Sequence, residues 1–398
     1  MNKNLTTNQK NAVLNSMAKL VEQNRQAILD ANKMDIESFA LEDKAMYDRL
    51  IVNDSKIDGM IESLDQLASQ EDPVGKEIFH FNHENGMKIT NKTAAFGTVM
   101  IIYESRPDVT VEAGGIAFKS GNKILLKGGK EAINSNLAIV NLWHLALEEN
   151  NISKDWVEYL NYNRQKTQEF LIKPTQKVDL IVPRGGEKLI AFVKENATCP
   201  VIVSGRGNNF IYVHTDADLD KAIEIIINAK TAKISACNAL DKVLIDSNIH
   251  DYSSFMSKLL SRLKDRKVEI LADEILAELY DLKSTPNEGV WYEEFLDYKI
   301  LIAMVSSKEV AIEKINKYGG GHSAGIITEN KDVANEFLES VDSAAVYHNA
   351  STRFSDGFQF GLGGELAIST DKLHHRGPMG MQHLVTNKWY ILGDGQIR

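Results

Sequence analysis

Residues 98–140 read TVMIIYESRPDVTVEAGGIAFKSGNKILLKGGKEAINSNLAIV. The stretch opens on a nearly unbroken apolar run, TVMIIYE, the pattern of a strand covered on both faces. VTVEAGGIAFKSG follows with helical spacing and stops at Gly121, where a glycine can cap a helix. NKILLK is a second short strand, and GGKEAINSNLAIV enters a long amphipathic helix through Gly128 and Gly129. Strand, helix, strand, helix predicts an α/β fold: a parallel, doubly wound sheet of Rossmann type.

The rhythm continues on either side. DWVEYLN, VDLIVP, CPVIVSG and FIYVH read as strands, and QKTQEFLIK and GGEKLIAFVKEN as helices. After Asn238 a second α/β series begins, with strands KVLID, KILIAMVS, SAGIIT and AAVYHN between helical segments. Upstream, the first 70 residues repeat apolar positions at three- and four-residue steps, as helices do. IFHFNHENGMKITNKTAAFG alternates around Asn85-Gly86 and reads as a hairpin, either a surface hairpin or a projecting arm. NKWYILGDGQIR reads as one more strand. A chain of 398 residues exceeds one compact core. The expected division is residues 1–235 with an arm near 76–96, a second domain over 236–384, and a terminal strand in 385–398.

A net charge of −10 with no long basic run argues against nucleic acid and anionic membrane as partners. The two cysteines, Cys199 and Cys237, make no disulfide framework and point to a reducing compartment. The opening residues hold no apolar core of signal-peptide length, and no stretch approaches the roughly 20 apolar residues of a membrane span. A soluble cytoplasmic protein is expected. No Cys/His cluster has metal-ligand spacing, so no metal site is expected.

Two glycine turns follow strands: Lys127-Gly128-Gly129 and Arg184-Gly185-Gly186. Each is either a plain turn or a place where a phosphate meets free helix amides. A pair of such turns is consistent with a dinucleotide, although neither is a G-x-G-x-x-G fingerprint. Cys199, beside Pro200 and an apolar run, fits a small core residue. Cys237 lies among Ser235, Ala236, Asn238 and Ala239, where a thiol is either a core filler or an accessible nucleophile at the seam of the two α/β series. The long polar stretch NASTRFSDGFQFGLGGELAIST offers Ser351 and Arg353 to an anion, and His322 in YGGGHSAG reads as a packing residue.

Together YESRPDVT, AFKSGNKILLKGGKEAINSN, VDLIVPRGGEKLI, CNALDKVLID and NASTRFSDGFQFGLGGELAISTDKLHHRGPMG resemble the gamma-glutamyl phosphate reductases, or glutamate-5-semialdehyde dehydrogenases, of the aldehyde dehydrogenase superfamily. The resemblance runs through nearly the whole chain. It implies an aldehyde dehydrogenase-like fold: a cofactor domain, a second α/β catalytic domain and a β-hairpin oligomerisation arm, in a homodimer or larger homo-oligomer. It also implies NADPH-dependent reduction of L-glutamyl 5-phosphate to the semialdehyde with loss of phosphate, the second step of proline synthesis from glutamate, with a glutamate kinase as a possible partner. The family nucleophile falls on Cys237. The oxyanion donors fall on the backbone amide of Cys237 and, at the position of the superfamily's asparagine, on Ser105, and Asn238 joins them among the expected catalytic residues. Lys127, Gly128, Gly129, Lys130, Gly185 and Gly186 correspond to the cofactor site, with NADP+ preferred because Lys130 is no acid. The nicotinamide-ribose glutamate falls on Glu294 or, one register away, Glu293. Arg106 and Arg353, with Ser351, are the expected ligands of the substrate's anionic groups. The glutamate with which aldehyde-oxidising relatives activate water is missing: Ile202 or a neighbour in VIVSGRG stands in its place.

Overall fold

The computed structural model describes residues 4–39, 44–285 and 287–398. They form two compact units, one comprising the described residues up to Ser204 with 361–367 and 379–398, the other the described residues of 205–360 with 368–378.

In the first unit a four-stranded parallel sheet runs in the order Val157–Tyr159, Lys123–Lys127, Thr98–Tyr103, Leu180–Arg184. Successive side chains of a strand face opposite ways, and both faces here are buried. Val99, Ile101 and Tyr103 join Ile124, Leu126 and Val182 on one face, against helices Val109–Lys119 and Ile133–Glu149. Met100, Ile102, Leu125 and Ile181 point the other way, into a smaller core with Phe170, Leu171 and Val193. Double coverage explains why TVMIIY shows no polar alternation. The N-terminal helices Thr7–Gln23 and Asp54–Ser69 add Val13, Leu14, Met17, Leu64 and Leu67 to the larger core. The hairpin Glu77–Asn82 and Lys88–Ala95 is completed by Val385–Leu392, antiparallel to Lys88–Ala95 over its full length. Its outer residues, Ile78, Phe79, Phe81, Trp389 and Ile391, are exposed.

The second unit holds seven parallel strands in the order Lys283–Ser284, Glu269–Ala272, Lys299–Val305, Leu240–Asp246, Asn209–Val213, Ser323–Ile327, Ala345–His348. This sheet is also doubly covered. Ile211, Val243 and Ile302 face helices Leu219–Thr231 and Tyr252–Asp265, while Phe210, Leu244 and Leu301 face Lys308–Tyr318 and Lys331–Ser340.

Three sequence expectations need correction. The break between units falls after Ser204 rather than at 235/236, because FIYVH pairs with Leu240–Asp246 and Ser323–Ile327 in the second sheet. Residues 361–367 and 379–384 return to the first unit instead of staying with the second. CPVIVSG contributes isolated bridge residues, Val201 paired with Ile181 among them, and no strand.

Candidate active site

Cys237 sits in the turn between helix Leu219–Thr231 and strand Leu240–Asp246, at the amino-terminal edge of the second sheet, and is exposed. Three neighbours fix that turn. Asn209, fully buried as the first residue of its strand, donates from Nδ2 to the carbonyls of Gly207, Cys237 and Ala239, each at 2.7 Å. Its Oδ1 accepts from the Ser323 amide at 3.1 Å, so one amide ties the starts of three strands. Gly207 leaves the necessary room: a Cβ there would stand 1.9 Å from the Cys237 carbonyl oxygen and 2.5 Å from Glu294 Oε1. Glu294 therefore lies against the cysteine turn, whereas Glu293 pairs with Lys299 at 3.5 Å.

The third neighbour is the segment Ser351–Ser355. Asn238 Nδ2 donates to the carbonyls of Ser355 (2.9 Å) and Arg353 (3.2 Å), and Thr352 Oγ1 donates to the Asn238 carbonyl (2.7 Å). Both amide protons of Asn238, expected among the catalytic residues, are thereby spent, which makes it a positioning residue. Ser351 is buried and accepts from the Arg353 amide at 3.4 Å, capping the turn Thr352–Phe354. Arg353 is held where Cys237 and Asp356 act on its charge. Burial lowers its pKa and those two groups oppose the shift. Its Nε and Nη1 are buried and have no hydrogen-bond partner among the described residues. Unspent donors on a guanidinium beside an exposed sulfur can stabilise a thiolate and receive an anion.

Behind the turn the charges are structural. Lys230 and Asp241, both buried, pair at 3.1 Å. Lys242 donates to the Glu293 carbonyl (2.6 Å) and lies 3.8 Å over the Phe295 ring, and burial brings its pKa down to about 7. His322 is buried, shares a 2.8 Å hydrogen bond with Ser323 Oγ, and is driven by burial to a pKa of about 4, so it packs as a neutral ring. Cys199 is half-buried among apolar residues, and burial raises its pKa.

In the first unit the remaining predicted residues cluster at the carboxyl ends of the strands, the edge at which open parallel sheets bind ligands. Gly128 is required by close packing: a Cβ there would meet Asn136 Nδ2 at 2.2 Å. Lys127 Nζ donates to the Gly128 carbonyl at 2.5 Å, its pKa lowered by burial, while Lys130 after Gly129 is exposed. At the other turn the Gly186 amide, ahead of helix Glu187–Asn196, donates to Glu104 Oε2 at 3.0 Å, and Gly185 packs on the same carboxylate. That amide is thereby occupied by Glu104. The glycine turns and the exposed Lys130 fit a phosphorylated dinucleotide.

Ser105 does not present the donor expected of it. It is buried at φ 43°, and its amide and Oγ both donate to Glu131 Oε1 at 2.8 Å. Arg106 Nη2 pairs with Asp108 Oδ2 at 2.9 Å. Sequence reading missed Asn209, Gly207, Glu104 and Glu131. Only Asn209 carried a sign, an amide at the threshold of an apolar strand.

A model of the aldehyde dehydrogenase family matches residues 2–275. Gamma-glutamyl phosphate reductases of Clostridium botulinum and Nautilia profundicola are 41% and 44% identical to this chain, over 99% and 98% of it and 95% and 94% of their own lengths. The crystal structure of gamma-glutamyl phosphate reductase from Thermotoga maritima superposes with a TM-score of 0.94 at 42% identity, covering 99% of this chain and 95% of that one. An acetylating aldehyde dehydrogenase from Geobacillus thermoglucosidasius shares the fold alone, at 18% identity and a TM-score of 0.71. The chain belongs to the gamma-glutamyl phosphate reductase family of aldehyde dehydrogenase-like oxidoreductases.

Proposed function

We propose that the enzyme converts L-glutamyl 5-phosphate and NADPH into L-glutamate 5-semialdehyde, NADP+ and phosphate, through a thioester on Cys237. The observation that carries this reading is the exposed Cys237 beside Arg353, whose Nε and Nη1 are unspent. The Cys237 thiolate attacks the acyl carbon, a C–S bond forms, the C–O bond to phosphate breaks, and phosphate leaves with its electron pair. Arg353 favours the thiolate and takes the departing phosphate. The backbone amide of Cys237 stabilises the oxyanion. NADPH, when bound, supplies the hydride that reduces the thioester carbonyl and frees the thiol.

Lys127, Gly128, Gly129, Lys130, Gly185 and Gly186 hold the nucleotide, and Glu294 its nicotinamide ribose. The family resemblance, in which Ile202 or a neighbour in VIVSGRG takes the place of the hydrolytic glutamate, favours loss of phosphate over hydrolysis to a free acid. The exposed aromatic and aliphatic residues of the three-stranded arm favour assembly into a homo-oligomer. The reverse reaction tests the function: reduction of NADP+ by glutamate semialdehyde must require phosphate. Cys237→Ala must abolish it, by about 10⁴-fold or more, while NADPH binding stays within a few fold. Turnover that ignores phosphate, or survives in Cys237→Ala, refutes the reading.

A further inference from the structure

Within the second unit a line of hydroxyl groups runs into the segment that carries Arg353. His322 Nδ1 meets Ser323 Oγ at 2.8 Å, Ser323 Oγ meets Ser355 Oγ at 2.6 Å, and Ser355 Oγ meets the Tyr347 hydroxyl at 2.6 Å. His322, Ser323 and Ser355 are buried, and Tyr347 is half-buried. Each hydroxyl has one proton to give and lone pairs to accept with, so the line can run in either direction, set by the tautomer of His322. In both directions Ser355 Oγ is gripped from two sides. His322 Nε2 is buried with no hydrogen-bond partner among the described residues. A bare ring nitrogen opposes folding. The fold tolerates it and keeps the other nitrogen on Ser323.

Ser323, the first residue of strand Ser323–Ile327, is bonded toward both halves of the nucleophile site. Its amide donates to Asn209 Oδ1 at 3.1 Å, and Asn209 Nδ2 holds the Cys237 carbonyl at 2.7 Å. Its Oγ holds Ser355. The Ser355 carbonyl accepts from Asn238 Nδ2 at 2.9 Å, and the Ser355 amide donates to the Thr352 carbonyl at 3.1 Å, closing the turn Thr352–Phe354 that carries Arg353. Linked hydroxyls in a low-dielectric interior strengthen one another and hold one geometry. We propose that Ser323 is a positioning residue that sets the spacing between the Cys237 sulfur and the Arg353 guanidinium, with Ser355 and Tyr347 as its relay. The assignment rests on the reading that Arg353 favours the thiolate and takes phosphate. Without the Ser323 hydroxyl the Arg353 turn keeps its own hydrogen bonds and loses its tie to the strand that braces Asn209.

The test follows alkylation of Cys237 by iodoacetamide against pH, read on its own peptide by mass spectrometry, in Ser323→Ala, Arg353→Ala and the double variant. Ser323→Ala is expected to move the profile up by about half a pH unit or more, the direction of Arg353→Ala. It should also raise the KM for phosphate in the reverse reaction by about fivefold or more, with the KM for NADP+ within about twofold. In the Arg353→Ala background it should move the profile no further, because its effect passes through the guanidinium. Burial keeps His322 neutral, with a pKa of about 4, and raises the Tyr347 phenol, while Glu294 and Asp356 are left in place, so the shift belongs to the sulfur. If Ser323→Ala fails to fold, Tyr347→Phe, at the half-buried end of the line, is expected to give a smaller shift of the same sign. An unmoved profile or an unchanged phosphate KM in the variant that folds, or an equal shift with and without Arg353, overturns the assignment and leaves the proposed reaction standing. Arg353→Ala without any shift overturns the thiolate reading of Arg353 and the assignment with it. Turnover that ignores phosphate overturns the reaction itself, and the alkylation profile still decides the role of Ser323.

Discussion

Asn209→Ala is the sharpest probe of how the nucleophile is held. The buried amide divides two N–H protons among three carbonyls and accepts one N–H from Ser323. That is about three full hydrogen bonds, each worth roughly 1 kcal/mol net, and the abandoned carbonyls add a penalty of about 1–2 kcal/mol. The expected loss is about 3–5 kcal/mol from the second unit, or a fall in its Tm of roughly 10 °C at about 2–4 °C per kcal/mol. Catalysis should suffer beyond this, because the Cys237 carbonyl is one of the three released and a 1 Å misplacement costs roughly 10²-fold. Urea unfolding would measure the first effect, and turnover below the transition the second. A loss under about 1 kcal/mol together with turnover within threefold of wild type would refute the claim that this side chain sets the cysteine turn.

Further outcomes follow from neighbouring contacts. Gly207→Ala puts a methyl against the Cys237 carbonyl and should cost about 1–3 kcal/mol with a large drop in turnover; unchanged stability and activity would count against the packing described. Arg353→Ala should move the pH profile of Cys237 alkylation toward higher pH, since a cation near the sulfur is lost; an unmoved profile would detach Arg353 from the thiolate. Glu112 binds its proton more tightly in the folded chain than in the unfolded one, so its contribution to stability is present below pH 4.5 and lost as pH rises through about 7. Glu112→Gln should therefore gain on wild type by roughly 2–3 kcal/mol between pH 5 and pH 8 in urea titrations, and a flat difference would show the carboxyl to be well solvated.

Much of the fold was legible because both sheets are buried on two sides, which writes strands such as TVMIIY and KILIAMV as apolar runs between helices. The same uniformity hid the boundary between units. FIYV pairs in the second sheet but has the same apolar content as the strands before it, and nothing local marks which sheet a strand joins. The site was legible where residue type limits the chemistry, as with Cys237 and Arg353. It was illegible where geometry decides. Ser105 looked like a donor until Glu131 took both its protons, and Asn238 looked catalytic until Ser355 and Arg353 took both of its own. Whether a hydroxyl or amide is available depends on partners tens to hundreds of residues away, which no local window contains.

The arm's third strand has a consequence for biosynthesis. Gln396 donates to the Asn85 carbonyl across 311 residues of chain, and Val385–Leu392 closes the edge of Lys88–Ala95. While a ribosome is still making the second unit, the earlier hairpin waits with one rim unpaired and its aromatic residues uncovered. A nascent chain stalled in that interval offers an adhesive edge to any other strand nearby, so the risk of aggregation peaks during translation rather than after release.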